Sequence, residues 1–440
     1  MKTSAKIFLD HVVGLPLTLA ANAAARLLGF LLRRPHDLGQ AEVREIAVAK
    51  FAGMGSMIEA LPLLRSLKAR FPQARISFVT SEGCRALVER LPYVDGGYYV
   101  DDRGLWRLGV SVVQALVELN RHPPDLYFDL EVYSRFASLM AIGSRAMNRY
   151  GFYRHTTWFK GGLYTYLVFF NARYPIRQVY LQMGRAVGVP AESPDHLEPI
   201  RVRHEDRERL AARKLLPPAG EGGPALVVIN PNASDLLLER RWPADHVAEL
   251  IEKLARAGRK IVLIGSPSEA AHVASVLSLV DPEIRAGVIN TAGQLSLAEL
   301  FAVLERADVV VTNDTGPMHM AVSLGRRTVC LFGPVSPGHY GFRESNVAVL
   351  NHPVYCSPCV HEIEQPPCQG ENECMRLIRP EEVVAEVERF LGGAGEAAPG
   401  DEYRVVFARE RDGLPLGLVQ RGTMRPGGRL LVGPKEKTTP

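Results

Sequence analysis

The stretch from Ala307 to Pro334 constrains this chain most. Val309 to Thr312 is a short β-branched run, Asn313-Asp314-Thr315-Gly316 is a turn, and a short helical pattern follows from Pro317. After Gly325 a second apolar run extends from Thr328 to Phe332. This reads as strand, turn, helix, strand, with the turn at the carboxyl end of the first strand, where open α/β sheets bind ligands. Thr315 is suited to the N-cap and Pro317 to the first helical turn, where its missing N–H costs nothing. The N–H groups left over at such a helix start, with the helix dipole, favour an anion. Any α/β protein could use the same turn as a plain helix start, so its meaning depends on its neighbours.

The pattern recurs along the chain. Residues 44–51 read as a strand, Ala52-Gly53-Met54-Gly55 as a glycine-bearing turn, and a helix runs from Ser56 to about Arg70. Strands at 75–80, 95–101 and 126–130 alternate with helices at 82–91 and 105–120. Residues 133–200 are richer in aromatics and arginines, with helical stretches after Gly161-Gly162. Leu216 to Pro224 is Pro/Gly-rich and marks a linker. A second series then restarts: strands at 225–230, 260–264 and 287–290, and helices at 244–257, 268–279 and 296–305, lead into the opening stretch. A last helix spans Pro380 to Leu391. Such alternation implies right-handed βαβ units and parallel sheets. With 440 residues, two domains are expected. They are a doubly wound α/β pair at 41–215 and 225–391, joined by 216–224 and facing an interdomain cleft, with a 392–440 tail expected to be largely disordered.

The first 40 residues differ. Val12 to Leu32 is almost wholly apolar or small, long enough in principle to span a bilayer. Its polar residues His11, Thr18, Asn22, Arg26 and Arg33 recur at helical spacing and draw one narrow stripe, and Pro16 should break the first turns. No small-residue cleavage site stands out, which argues against a removed signal peptide. An in-plane anchor with Lys2, Lys6, Arg33 and Arg34 near lipid headgroups is the expectation, beside a single span or a helix packed on the protein's own surface. The net charge of +4 does not call for nucleic acid, and a mildly basic surface suits anionic substrates or membranes.

Four features of the second half converge on one ligand. The Asp314-Thr-Gly turn is the first. Asn230-Pro-Asn232-Ala-Ser234 ends another strand with small and amide residues that let backbone donors approach an anion. Arg240-Arg241-Trp242-Pro243 offers cations for a pyrophosphate. Gly265-Ser-Pro-Ser-Glu269 places past a third strand a carboxylate able to accept from ribose hydroxyls. Each alone is weak; at the strand ends of one sheet they favour a nucleotide.

Together, Asn230-Pro-x-Ala-Ser234, Arg240-Arg-Trp-Pro243, Gly265-x-x-x-Glu269, Asn313-Asp-Thr-Gly-Pro-Met-His-Met-Ala321 and Leu331-Phe-Gly-Pro-Val-Ser-Pro337 resemble glycosyltransferase family 9, the ADP-heptose:lipopolysaccharide heptosyltransferases. Gly53-Met-Gly-Ser56, Leu61-Pro-Leu-Leu-Arg-Ser-Leu67 and Phe128-Asp-Leu-Glu131 agree. The resemblance covers roughly residues 44–391. It implies a GT-B fold of two Rossmann-like domains, the acceptor on the first and the nucleotide sugar mainly on the second. It also implies inverting, metal-independent transfer of a heptose-like sugar from an ADP-sugar to a lipopolysaccharide-core or other glycolipid acceptor at the cytoplasmic face of the membrane. Carried over, Arg240 neutralises the leaving pyrophosphate and Glu269 holds the nucleoside. Asp314, Thr315, Gly316 and Met318 form the turn at the phosphates and donor sugar. Asp314, an anion, suits the turn or a sugar hydroxyl, and His319 is either a site residue or a packed helix residue.

The acceptor-side loop, Gly53, Gly55 and Ser56, departs from the family, whose members usually carry Gly-Asp here with that Asp as the proposed general base. Serine at its ordinary pKa cannot be that base unaided. Glu59 is one substitute, although Ser56-Met-Ile-Glu59 also reads as a capping box; Asp129 and Glu131 are further candidates. The alternatives to a transferase are a catalytically silent sugar-nucleotide-binding protein at the membrane and a GT-B epimerase or hydrolase. Finally, Cys356, Cys359, Cys368 and Cys374 lie within nineteen residues, near His352 and His361. That density admits a structural zinc, although the spacing is not a standard finger pattern. No cofactor is otherwise required, and disulfides do not suit a cytoplasmic chain.

Overall fold

Two parallel sheets organise the computed structural model of this chain. It describes residues 3–32, 36, 42–217, 223–233, 237–352, 354–360, 368 and 371–392, with the backbone of 418–421; side chains at 3–7, 28–30 and 32 are excepted. One compact unit comprises Met1–Ala172, Ile176–His196 and Val405–Pro440, the other Arg173–Pro175 and Leu197–Arg404.

In the first unit β1 (Glu45–Ala49), β2 (Arg75–Ser81), β3 (Gly96–Val100), β4 (Leu126–Asp129), β5 (Asn148–Tyr153) and β6 (Tyr166–Phe169) run parallel in the order β6-β5-β4-β1-β2-β3. The central strands β1, β2 and β4 are almost wholly buried because both faces of the sheet are covered. The chain order reverses between β1 and β4, whose register sets Ala49 opposite Asp129. Principal helices are α1 (Thr3–Val12), α2 (Gly14–Leu32), α3 (Met54–Ile58), α4 (Leu61–Arg70), α5 (Leu105–Leu119), α6 (Arg135–Gly143) and α7 (Ile176–Arg185). Ala47, Ala49, Val79 and Tyr127 form one core face with Ala115 and Leu119 of α5, Met140 and Ala141 of α6, and the partly buried Ala21 and Ala25 of α2. The opposite face carries an aromatic stack, Phe128 on Tyr150 on Tyr166, with 4.8 Å between successive rings.

The second unit repeats the plan. Strands β7 (Leu226–Asn230), β8 (Lys260–Leu263), β9 (Ile289–Asn290), β10 (Val309–Asn313), β11 (Arg327–Phe332) and β12 (Val347–Asn351) stand in the order β12-β11-β10-β7-β8-β9 and pair parallel. Here the reversal lies between β7 and β10. Helices α8 (Ala244–Arg256), α9 (Ala270–Ser278), α10 (Leu297–Arg306), α11 (Gly316–Ser323) and α12 (Pro380–Leu391) flank them. The indole of Trp242, buried between α8 and the sheet, donates to the Ile378 carbonyl at 3.0 Å.

Four strands are not expected from the sequence. β5 and β6 lie in the stretch 133–200, where Asn148, Arg149 and Gly151 interrupt β5 and β6 is only four residues long; β12 follows the polar loop after Gly341, and a fourth, Leu418–Arg421, falls in the 392–440 tail. The helix expected from Ser56 to Arg70 is two helices, and its N-cap is Gly53 at φ 81° with no side-chain cap. Ser56 therefore sits inside α3, and the expected Ser56–Glu59 capping box does not form. The second unit begins at Leu197, ahead of the 216–224 stretch, because the helix His204–Ala212 packs on α10 through an Arg207–Glu305 ion pair at 2.6 Å. Residues 218–222 of the expected linker and most of the 392–440 tail lie outside the described residues. Within that tail β13 (Leu418–Arg421) pairs antiparallel with β6.

The N-terminal segment breaks at Val13, just ahead of Pro16, as that proline predicts. Its polar stripe turns inward. Asp10 accepts from the N–H groups of Arg135 and Phe136 at the start of α6, at 3.1 and 2.8 Å. Asn22 donates to the carbonyls of Phe159 and Gly161 at 3.0 and 2.5 Å, and holds Arg26 through its other amide atom. These bonds, spaced along the segment, lay it on the first unit's surface. Asn22→Ala orphans two carbonyls, so α2 should loosen by about 1–3 kcal/mol. Hydrogen exchange within residues 14–32 should then accelerate while the strands stay protected; unchanged exchange would show that the amide does not secure the segment.

Candidate functional site

Each sheet has its crevice where the strand order reverses, at the carboxyl ends of β1 and β4 in the first unit and of β7 and β10 in the second. The named residues gather at both.

In the first unit the loop after β1 is secured by Glu131. One carboxylate oxygen accepts from the N–H groups of Phe51 and Ala52, both at 2.8 Å, and the other meets Lys50 Nζ at 2.9 Å. Burial alone would raise this carboxyl, but Lys50 and the two N–H groups outweigh it and hold it below the ordinary glutamate range. Asp129 is fully buried. Burial pushes its carboxyl up, against the pull of Lys160 Nζ at 3.1 Å, the Tyr164 hydroxyl and the Glu131 N–H at 2.9 Å. Glu59 is buried too, paired with Arg177 Nε at 3.2 Å. Ser56 shares a hydrogen bond with the buried Tyr180 hydroxyl. Gly53, in the left-handed region, lets the chain turn from β1 into α3, and Gly55 is buried one step on. All three candidate carboxylates thus hold cations. All three are buried, Glu131 at 8% exposure least completely, against 0% for Asp129 and 1% for Glu59. Lys50, Lys160, Tyr164, Arg177 and Tyr180 escape sequence reasoning because each partner is remote in the chain.

In the second unit three buried amides weld adjacent strand ends. Asn230, closing β7, donates to Thr312 Oγ1 at 3.1 Å and Thr315 Oγ1 at 2.9 Å. Its oxygen accepts from Asn232 Nδ2 at 3.1 Å, and the same Nδ2 donates to the Ile264 carbonyl past β8 at 2.9 Å. Asn313, closing β10, donates to the Asn232 carbonyl at 3.0 Å. A Cβ on Gly265 would lie 2.9 Å from Asn232 Nδ2, so this approach requires glycine there. Ser234 lies outside the described residues.

Thr315 is the N-cap of α11, and Pro317 lies in its first turn, yet the threonine makes no side-chain cap. Its hydroxyl donates instead to the Asn313 carbonyl at 3.2 Å. Asp314 turns towards a cation: its carbonyl accepts from Arg240 Nη1 at 3.3 Å, and its carboxylate lies 3.6 Å from the same nitrogen. The guanidinium of Arg240 is thereby held over the start of α11, where Gly316 leads into the first turn. Met318, expected to touch the donor, is instead a core residue beside Phe332 and Phe342, with its N–H on the Thr315 carbonyl at 3.1 Å. His319 is packed edge-on against Tyr340 and Phe342, 3.9 Å from Asp314. Glu269 accepts from the Ser266 N–H at 2.7 Å, fixing the loop after β8. Sequence reasoning overlooks His272, which bonds the backbone at Pro231; burial first, and then Arg241, hold its pKa below the ordinary value. Among the described residues, buried polar atoms without a hydrogen-bond partner collect here: Asn232 Oδ1, Arg240 Nε, Arg241 Nε, His272 Nε2, Asn313 Oδ1 and Asp314 Oδ2.

The four clustered cysteines sit around the turn after β11. Cys359 N–H donates to the Pro334 carbonyl at 3.0 Å, and a Cβ on Gly333 would lie 2.9 Å from Cys374 Sγ. All are free thiols; burial, then the neighbouring thiols, push Cys374 up to about 11. Among the described residues no group of three or more side chains is arranged to hold a metal, and His361 lies outside them.

Residues 145–368 match the model of the family described as glycosyltransferase family 9 (heptosyltransferase). The chain is 25% identical over 370 residues to lipopolysaccharide heptosyltransferase 2 of Salmonella typhimurium, covering 78% of this chain and 97% of that protein. It is 26% identical over 309 residues to lipopolysaccharide heptosyltransferase 2 of Escherichia coli, covering 64% and 81%. Its fold matches the solved structure of the E. coli ADP-heptose lipopolysaccharide heptosyltransferase II with a TM-score of 0.65 at 22% identity, over 79% of this chain and 98% of that one. The glycosyltransferase family 9 structure from Veillonella parvula gives the same score at 24% identity, over 80% and 98%.

The Glu131 staple makes a pH-dependent prediction. Its folded pKa lies below the ordinary 4.5, so its contribution is complete above that value and is lost as pH falls through the folded one. Glu131→Gln should cost about 3 kcal/mol at neutral pH by leaving Lys50 uncompensated. In urea titrations the gap from wild type should narrow at about pH 4; an equal gap at both pH values would remove the ion pair as its source.

Proposed function

The chain belongs to glycosyltransferase family 9, the heptosyltransferase family, and from that premise we propose that it moves a heptose-like sugar from an ADP-sugar to a lipopolysaccharide-core or related glycolipid acceptor. The observation that carries this reading is Arg240, locked by Asp314 over the start of α11 beside the amide-welded ends of β7 and β10. A diphosphate laid there meets a fixed guanidinium and helix N–H groups. The nucleoside reaches the loop after β8, where Glu269 has a second oxygen to offer its ribose. Its relatives, named as transferases, favour turnover over a silent binding role or an epimerase.

In the proposed reaction an acceptor hydroxyl attacks the anomeric carbon from the face opposite the diphosphate. The new glycosidic bond forms as the carbon–oxygen bond to the diphosphate breaks, and ADP leaves with the electron pair, its charge met by Arg240. Glu131 takes the hydroxyl proton: it is ionised at neutral pH and, of the three carboxylates, it is the least deeply buried. Asp129 and Glu59 act as positioning residues through Lys160 and Arg177. The transfer draws on no metal and on no residue of the cysteine cluster. The acceptor is lipid-linked, and the chain works peripherally at the cytoplasmic membrane face, where α1 and α2 rest on the bilayer.

Removing the Arg240 guanidinium should weaken ADP binding by about tenfold to a hundredfold, read by calorimetry on Arg240→Ala. With ADP-heptose and a lipid acceptor, Glu131→Gln, assayed at a temperature where circular dichroism shows it folded despite the lost Lys50 pair, should lower kcat by about a hundredfold or more at unchanged donor KM. Unchanged ADP affinity in the first variant would dismiss the diphosphate assignment; unchanged kcat in the second would dismiss Glu131 as base.

A further inference from the structure

The first unit wears its apolar residues outward over a continuous layer of three helices. In α2 the side turned to the protein carries Gly14, Thr18, Ala21, Asn22 and Ala25, all small or polar. The outer side carries Leu17, Leu19, Leu27 and Leu31, at 43 to 64% exposure, with exposed Ala20 and Ala24 between them. That is the reverse of a surface helix in water. In α5, over eighty residues later, Leu108, Val112, Ala115 and Leu119 face the core. A second stripe, Trp106, Val110, Val113 and Val117, spaced by four, three and four, faces out, with Trp106 at 83% exposure. A helix apolar on both sides needs a partner on both. Between them lies α6, whose Leu139 and Ile142 are half-buried. All three helices pack on the same face of the sheet. Across them the charged side chains are Arg26, Arg107, Glu118 and Arg135. The exposed Arg103 and Arg107 flank Trp106, sharing Asp101.

We propose that the outer faces of α2, α6 and α5 form one bearing surface for an anionic phospholipid bilayer, with α5 as a second contact and Trp106 as its interfacial anchor. An indole flanked by the exposed Arg103 and Arg107 at the end of an apolar stripe suits the headgroup boundary, and these two cations, sharing the single Asp101, complement anionic lipid. The bonds of Asp10 and Asn22 keep α1 and α2 in plane, so the segment and α5 can lie on the membrane together. This deepens the membrane-surface reading above, which rests on α1 and α2 alone.

The test uses the full-length chain and vesicles of equal parts phosphatidylcholine and phosphatidylglycerol. The double variant Val113→Glu/Val117→Glu alters exposed positions, so its circular dichroism and ADP affinity should match wild type while vesicle affinity falls by about tenfold or more. In a Trp158→Phe background, emission from Trp106 should shift to the blue on adding vesicles, because Trp242 is already buried. Unchanged affinity in the α5 variant, with loss in Leu17→Glu/Leu27→Glu, would overturn the role of α5 and leave the α1–α2 reading standing. Loss in neither would overturn both. A wild-type dimer that the α5 variant turns into monomer, without any change in vesicle affinity, would make a second copy the occupant and also overturn the proposal.

Discussion

The amide weld at Asn230, Asn232 and Asn313 is the interaction on which the second unit's chemistry depends. Parallel strands end with carbonyls and N–H groups that no neighbour satisfies, and here side-chain amides complete them across β7, β8 and β10. An amide both donates and accepts, so one residue can serve two strands at once. The weld fixes where Thr315 and Asp314 sit, Asp314 fixes Arg240, and the start of α11 becomes a polarised, positively charged floor. The amide steps are hydrogen bonds between buried groups, where low dielectric strengthens them and makes an orphaned atom costly, and the last step reaches the part-buried Arg240.

The first unit reaches the same geometry with charge instead of amides. Glu131 bridges β4 to the loop after β1, and Asp129 is neutralised by Lys160 from beyond β5. A serine stands where the family usually carries an aspartate, and its hydroxyl is taken up by Tyr180. The least buried carboxylate, Glu131, lies two residues past β4. In the proposed reaction the base therefore stays at the same strand-order reversal while the element that carries it changes.

Much of this was legible beforehand. The second unit's strands up to β11 and its principal helices read directly, because uninterrupted β-branched runs and amphipathic helices leave strong periodic signals. Asp314 reads from the sequence as serving the turn or a sugar hydroxyl, and in the structure its carboxylate lies 3.6 Å from Arg240. What failed had physical causes. β5 mixes asparagine, arginine and glycine among its aromatics, and β6 is a run of only four residues, too short for a periodic signal. The Ser56–Glu59 capping box was a local pattern defeated by a glycine able to start the helix earlier and by Arg177, which claims the glutamate. Met318 carried a family-derived role, but a helix's fixed rotation turns it into the core.

The sequence by itself determined the layering: two series of strands and helices, the glycines that let the backbone turn sharply, and the motifs that collect at strand ends. Only the tertiary structure decided which charges are spoken for. Pairings such as Lys160 with Asp129 and Arg177 with Glu59 join residues 31 and 118 positions apart, a separation that leaves no trace in local periodicity. It also decided which side of the first helix faces water. A polar stripe on an apolar helix looks like the solvent side when the helix is read alone. Here the domain beneath offers carbonyls and N–H groups that the stripe satisfies, so the apolar side is left outward for another phase to cover.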